Sequence, residues 1–383
     1  MPEVVPTQRP RVWRAAITLC GTILGVGIFA LPMLVAKSGY VIGLFWMVPL
    51  AFVVALQHLL YGEVVAATKE DRRLVGYVGQ YLGLWAKAVE TVGSLIGLVG
   101  GNIAYLVISG IFLQQALTPF GAVSPSLGAM LMAALGFAAA IFGTAFMLKV
   151  DAWMAWIEFI AFILLAAKAM TGVVPMHLAT VDVTQFFLPY GLVLFSFGGL
   201  SAVNEVRDMT AGNAKAMRRA ILLGSLMASG VTIFFVTAIV GATGAATSSE
   251  SIAGLAAKFD GAVPVAGAAV GFLAIITTYV VFTDYLKNQL HKDFKWPKWL
   301  SVVLAAGAPL ALYVFGVRNF GKIMELIGSV LIGVEGIFVI LMYRIVRKNF
   351  PEKTLKVPEG VLWLLMAMYA AGAVYELVFR LFR

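Results

Sequence analysis

Two glycine pairs, at Gly25–Val26–Gly27 and at Gly198–Gly199, interrupt stretches that otherwise read as long apolar helices. The first lies in Gly-Thr-Ile-Leu-Gly-Val-Gly-Ile-Phe-Ala-Leu-Pro, residues 21–32. Each glycine costs a helix interior about 1 kcal/mol relative to alanine. In a membrane, backbone N–H and C=O groups freed by such a break must line a cavity or meet a ligand. A break here turns the start of a second half-helix, near Ile28, toward whatever occupies the gap. Its bare amides and positive dipole end suit a carboxylate. On these residues alone, a glycine face packed on a neighbouring helix reads equally well. The second pair, in Leu194–Ser201, lies at similar depth in a later stretch. Paired interruptions in corresponding positions of two inverted halves point to a binding site at their interface.

Few other residues carry chemistry. Glu158 lies seven residues beyond Asp151 on one apolar stretch, roughly 10 Å into a bilayer at ~1.5 Å per residue. An ionisable group at that depth is a functional candidate by default, here for carrying a proton or for bonding a neighbouring helix. Ala274-Ile275-Ile276-Thr277-Thr278 offers hydroxyl and carbonyl oxygens for a hard cation. Alternatively both threonines bond back to the preceding turn. Cys20 is the single cysteine, so no disulfide framework exists. His58, His177 and His291 are scattered, with no metal-ligand spacing and no cofactor motif. An enzyme would need a nucleophile–base pair or a metal cluster at depth, and none is written. A channel would show a continuous polar stripe rather than two breaks.

The elements that position these residues follow from composition. The chain has 383 residues, of which 61% are hydrophobic and 12% charged, and a mean hydropathy of +0.94. A soluble chain carries about 25% charged residues. This is an all-α polytopic membrane protein. Eleven apolar runs are long enough to span: 11–36, 41–67, 88–117, 124–147, 150–172, 184–204, 216–241, 262–289, 299–317, 322–346 and 361–381. With the N-terminus inside, 21 of the 28 lysines and arginines fall on the inner side and the other 7 on the outer. That asymmetry predicts a cytoplasmic N-terminus and an external C-terminus in the plasma membrane. It also accounts for the net charge of +9 as orientation rather than as a nucleic-acid surface. Leu74–Gly83 reads as a short interfacial helix, and Ser251–Phe259 as a short helix over an outer vestibule.

Taken together, these motifs resemble the amino acid–polyamine–organocation superfamily. Gly25–Pro32 is similar to its G-x-G-I-[FL]-x-L-P, Tyr61-Gly62-Glu63 to its Y-[AG]-E, and Phe195–Gly199 to its F-x-F-x-G. The stretch from Glu205 to Ile221, with Asn213, Lys215, Arg218 and Arg219, resembles the connection that follows. Eleven helices and an outer C-terminus look most like the amino acid/auxin permease branch, which includes neutral amino acid transporters.

The resemblance implies a five-plus-five inverted repeat of the LeuT-type fold, with helices 1 and 6 broken and one extra C-terminal helix. The divisions are a tail at 1–10, a first repeat at 11–172, a second at 183–346, and helix 11 with the external end at 360–383. The implied function is secondary active transport of a neutral L-amino acid. The substrate carboxylate would meet the amides of Gly25, Val26, Gly27 and Ile28. Its ammonium would meet carbonyls of Phe195, Ser196 and Gly198. Thr22 and Asn102 would add polar contacts, and Tyr105, Phe197 and Phe282 walls or gates. A sodium ion would sit among Gly21, Leu24, Ala274, Thr277 and Thr278, although Gly21 stands where sodium-coupled animal members carry asparagine. Sodium is favoured over a proton carried by Glu158. The partners are a small-molecule substrate and lipid, with no nucleic acid; the oligomeric state is left open, a monomer being plausible. The rival from another class is an amino acid sensor on the same fold, separable by uptake into proteoliposomes.

Overall fold

The computed structural model describes residues 11–68, 70, 72–142, 145–352 and 354–381. The expected tail at 1–10 and the last two residues of the expected external end lie outside the described residues. The described residues are helical, without strands. Seven helices are long and apolar enough to cross a membrane, or eight when one bent pair is counted as a span.

The bent pair comes first. Helices α1 (Val12–Ile23) and α2 (Gly27–Ser38) meet at 56° across Leu24–Val26. Gly39, at φ +83°, reverses the chain into α3 (Tyr40–Ala67). A Cβ at Gly39 would lie within 2.6 Å of the Thr180 carbonyl oxygen, so the turn needs glycine for space as well as for its dihedral. The short helix expected at Leu74–Gly83 is α4 (Leu74–Leu82). It is followed by α5 (Leu84–Ala116), the longest helix among the described residues. Helix α6 (Pro125–Phe142) stops short of the expected residue 147, and α7 (Ala145–Met170) starts before the expected 150.

The second interruption is also present. Helix α8 (Tyr190–Phe197) ends at Gly198, and a 3-10 turn at Leu200–Ala202 leads into α9 (Val203–Met209). The helix begins later than the expected 184 because Asp182 caps a separate 3-10 turn, accepting from Thr184 N at 3.0 Å. Asn213 caps α10 (Ala214–Thr243) by accepting from Ala216 N at 3.0 Å. Then follow α11 (Ala262–Asn288), α12 (Lys298–Val314) and α13 (Phe320–Leu326). A π turn at Ile327–Ile332 joins α13 to α14 (Gly333–Asn349), and α15 (Glu359–Tyr375) follows.

Side-chain size sets how closely these helices approach. A Cβ on Gly328 would overlap the Gly191 carbonyl, so α8 and the π turn touch backbone to backbone. Large apolar side chains such as Phe45, Phe52, Trp85, Phe142, Trp299 and Trp363 are exposed, as lipid-facing groups are in a membrane protein.

Candidate substrate and cation site

The first break arises because the last turn of α1 closes on itself. Leu24 N donates to Cys20 O at 2.9 Å and Gly25 N to Ile23 O at 2.7 Å. The first turn of α2 closes in the same way, with Ile28 N on Gly25 O at 3.4 Å and Phe29 N on Val26 O at 3.3 Å. Of the four amides expected to face a carboxylate, those of Gly25 and Ile28 are thus engaged locally, and Val26 and Gly27 carry the gap. The Tyr105 hydroxyl, reaching in from α5, hydrogen-bonds the Val26 backbone and the Thr278 side chain. It stands beside the amides where a carboxylate oxygen is expected. Gly27 faces the second break: a Cβ there would lie 2.6 Å from Ser196 Oγ and 3.0 Å from Ser196 Cα. The two interruptions therefore meet.

Beside their meeting point is a cavity of about 220 Å³. Thr22, Gly25, Val26, Gly27, Tyr105, Phe195, Ser196, Gly198 and Phe282 all line it. Thr22 Oγ1 is bonded back to Thr18 O at 3.0 Å, whereas Ser196 Oγ has no hydrogen-bond partner among the described residues. Ile28, Asn102 and Phe197 are buried behind the wall rather than in it. Both amide atoms of Asn102 lack a partner among the described residues.

On one side of the break, beyond the cavity lining, lies a plug of packed aromatic rings. Phe29 meets Phe112, Phe162 and Phe235 at centroid distances of 4.7, 5.3 and 6.1 Å. Over this plug the 243–262 loop forms a 3-10 turn at Ala253–Ala257, and Ser251 Oγ donates to Phe29 O at 2.5 Å. On the other side the cavity runs past Glu90 and Glu335 to Arg73, Tyr285 and Asn204. The Arg73 guanidinium lies over the Tyr285 ring, 4.4 Å from its centroid. At this end Glu63 accepts two bonds from Arg218, at 2.5 and 2.8 Å, and a third from Leu355 N at 3.2 Å.

The two expected cation-coupling candidates occupy one place. Thr277 Oγ1 lies 3.4 Å from Glu158 Oε1 and 3.3 Å from Ala274 O. Glu158 is 4% exposed. One turn earlier on α7, Ala155 packs so closely on Gly21 that a Cβ there would overlap it. Gly21, Glu158, Ala274 and Thr277 thus converge where α1, α7 and α11 meet. Leu24 is buried nearby in sequence, and the Thr278 side chain is turned to Tyr105 instead.

Residues 8–378 match the tryptophan/tyrosine permease family. The chain belongs to that family. It is a transporter and not an enzyme. This corrects the expected assignment to the neutral amino acid transporters of the amino acid/auxin permease branch. The motifs behind that assignment are short and mostly shape backbone, so they report a broken helix rather than the side chain it serves. The permease also resembles the crystal structure of an Eremococcus coleocola manganese transporter in complex with an aromatic bis-isothiourea substituted compound. The match has a TM-score of 0.71 at 9% identity, over 96% of this chain and 86% of that one. At that identity the likeness concerns the fold. No curated protein matches the sequence.

Several cavity residues were not singled out from the sequence. Gln57, His58 and Glu90 line it together with Arg73 and Tyr285. The signal available in the sequence is a polar Gln57-His58 pair within an apolar run.

Proposed function

We propose that the protein moves an aromatic L-amino acid, tryptophan or tyrosine, across the cytoplasmic membrane by alternating access. The observation that carries this reading is the contact of the two helix breaks at Gly27 and Ser196 beside the cavity. Family membership supports the aromatic side chain. The carboxylate would bind at the Val26 and Gly27 amides in exchange for the Tyr105 hydroxyl, and the ammonium at the carbonyls around Ser196. Counting α1–α2, α8–α9 and α13–α14 as one span each, with α4 at the interface, makes eleven spans. Residues 11–172 and 183–346 then form two inverted repeats, followed by helix 11. In this reading the end of the cavity lined by Arg73 is the cytoplasmic one, and the aromatic cluster at Phe29 faces outward.

The coupled cation in this proposal is a proton on Glu158. Its support is the Thr277 hydroxyl, which lies against that carboxylate in a buried site. Sodium is the second reading, favoured by the Ala274 carbonyl close to the same hydroxyl. Uptake of labelled tryptophan and tyrosine into proteoliposomes tests both levels. Accumulation driven by an inward proton gradient, abolished by a protonophore and equal in sodium and choline, supports the proposal. Sodium dependence without protonophore sensitivity refutes the proton. Absence of uptake of either amino acid refutes the substrate.

A further inference from the structure

One wall of the cavity holds two polar side chains that neither the backbone site nor the cation site uses. Gln57 and His58 are consecutive residues of α3, 2% and 0% exposed, and both line the cavity. Each is held from behind. Gln57 Oε1 accepts from the Tyr369 hydroxyl at 2.6 Å, and His58 Nδ1 pairs with Ser225 Oγ at 2.9 Å. Each presents one further nitrogen, Nε2, that has no hydrogen-bond partner among the described residues. A buried polar atom left unpaired is costly, about 1–3 kcal/mol, and calls for a partner that arrives.

We infer that Gln57 and His58 form the subsite that reads the polar tip of the aromatic side chain. The inference rests on the aromatic substrate proposed above and deepens it. The chemistry of the two nitrogens differs. The amide Nε2 of Gln57 only donates. It pairs with the oxygen of a phenol and has nothing to offer an indole N–H. His58 Nε2 takes either role. When Ser225 donates to Nδ1, Nε2 carries the proton and donates; when Nδ1 donates to Ser225, Nε2 accepts. One imidazole therefore serves both a phenol and an indole N–H, with Ser225 rotating to match. Phenylalanine satisfies neither nitrogen. A site built to hydrogen-bond a substrate group rejects the analogue that lacks it, because its own buried atoms stay unpaired.

The test is equilibrium binding of L-tyrosine, L-tryptophan and L-phenylalanine to the purified full chain. Each ligand is measured on the wild type, Gln57→Leu and His58→Asn. Asparagine places an amide near the Nδ1 position and keeps the Ser225 bond while deleting Nε2. In the wild type, tyrosine and tryptophan should bind about tenfold tighter than phenylalanine. Gln57→Leu should reduce that margin for tyrosine and keep it for tryptophan. His58→Asn should lose it for tryptophan and reduce it for tyrosine. Phenylalanine affinity, within about twofold throughout, shows in the same samples that each variant is folded. Retention of both wild-type margins in both variants overturns the subsite while leaving the aromatic substrate standing. A variant that loses phenylalanine binding as well overturns it in favour of a structural role for that residue. Failure of all three ligands to bind the wild type overturns the proposed substrate, and the subsite with it.

Discussion

Replacing Gly27 with alanine adds a single methyl group at the point where the two helix breaks touch. That methyl would fall 2.6 Å from Ser196 Oγ, 2.9 Å from Phe195 Cδ1 and 3.0 Å from Ser196 Cα. The hydroxyl and the ring edge can turn aside. The Ser196 Cα is backbone, so α2 and α8 must move apart by a few tenths of an ångström. Overpacking of this kind costs about 1–3 kcal/mol. If the substrate bridges the two breaks, that strain falls on the bound state, and affinity drops roughly 5- to 100-fold at about 1.4 kcal/mol per decade. Binding of tryptophan and tyrosine to the purified variant measures it, with a melting curve alongside to separate loss of site from loss of fold. Gly230→Ala is the control. It lies on α10 with open space where its Cβ would be, and it should leave affinity unchanged. Wild-type affinity in a folded Gly27→Ala protein would refute the reasoning, because a ligand held by both half-helices cannot ignore their separation.

Further outcomes follow from the structure. Glu158→Gln should retain exchange of amino acid across the membrane and lose accumulation driven by a pH gradient. Thr277→Val, which removes the hydroxyl at 3.4 Å, should shift the pH for half-maximal uptake; an unchanged pH profile in both variants would reduce the pair to packing. Glu63→Gln should lower the melting temperature through about 1–3 kcal/mol lost from a pair whose arginine side chain is 32% exposed. The double variant with Arg218→Gln should lose less than the sum of the two single variants. Tyr105→Phe should strengthen substrate binding by about fivefold, one hydrogen bond's worth, by removing the hydroxyl that the carboxylate must displace from the Val26 backbone. Gly25→Ala, whose Cβ would lie 3.2 Å from that hydroxyl, should cost affinity less in the Tyr105→Phe background, as a double-mutant cycle would show.

Both breaks were legible because glycine pairs contradict the helical preference of everything around them. Glycine's missing side chain leaves a mark in the sequence wherever backbone must be bent or brought close. The short α4 was legible for a related reason, since charged residues and Gly83 bracket it. Pairings across the bundle left no such mark. Glu158 and Thr277 are 119 positions apart, and Glu63 and Arg218 are 155 apart. Nothing local to either member names the other; depth alone brings Glu158 and Thr277 to the inner half near the first broken helix, and the direct contact between them is visible only in the structure. Asn102 shows the converse: the resemblance implied a polar contact to substrate, but rotation about the α5 axis buries it away from the cavity. Gln57 and His58 were visible as polar types but not as a cavity face, because α3 is apolar on all sides and gives no orientation. The family assignment failed for a chemical reason. A motif that shapes backbone carries little side-chain information, so it does not separate one transporter family from another.

The glycine contact between α8 and the π turn has a mechanical consequence. Gly191 and Gly328 leave no side chain between the two backbones, so there is no soft layer to shear, and relative sliding would drive carbonyl against Cα. These two segments form a stiff splint. Any reorientation of the second broken helix must then be taken up past the end of α8, at Gly198–Gly199, where the extended backbone and a 3-10 turn already interrupt the ladder. The interruption at Gly198–Gly199 also lines the cavity, so a substrate in the proposed site would bear directly on the segment that must bend.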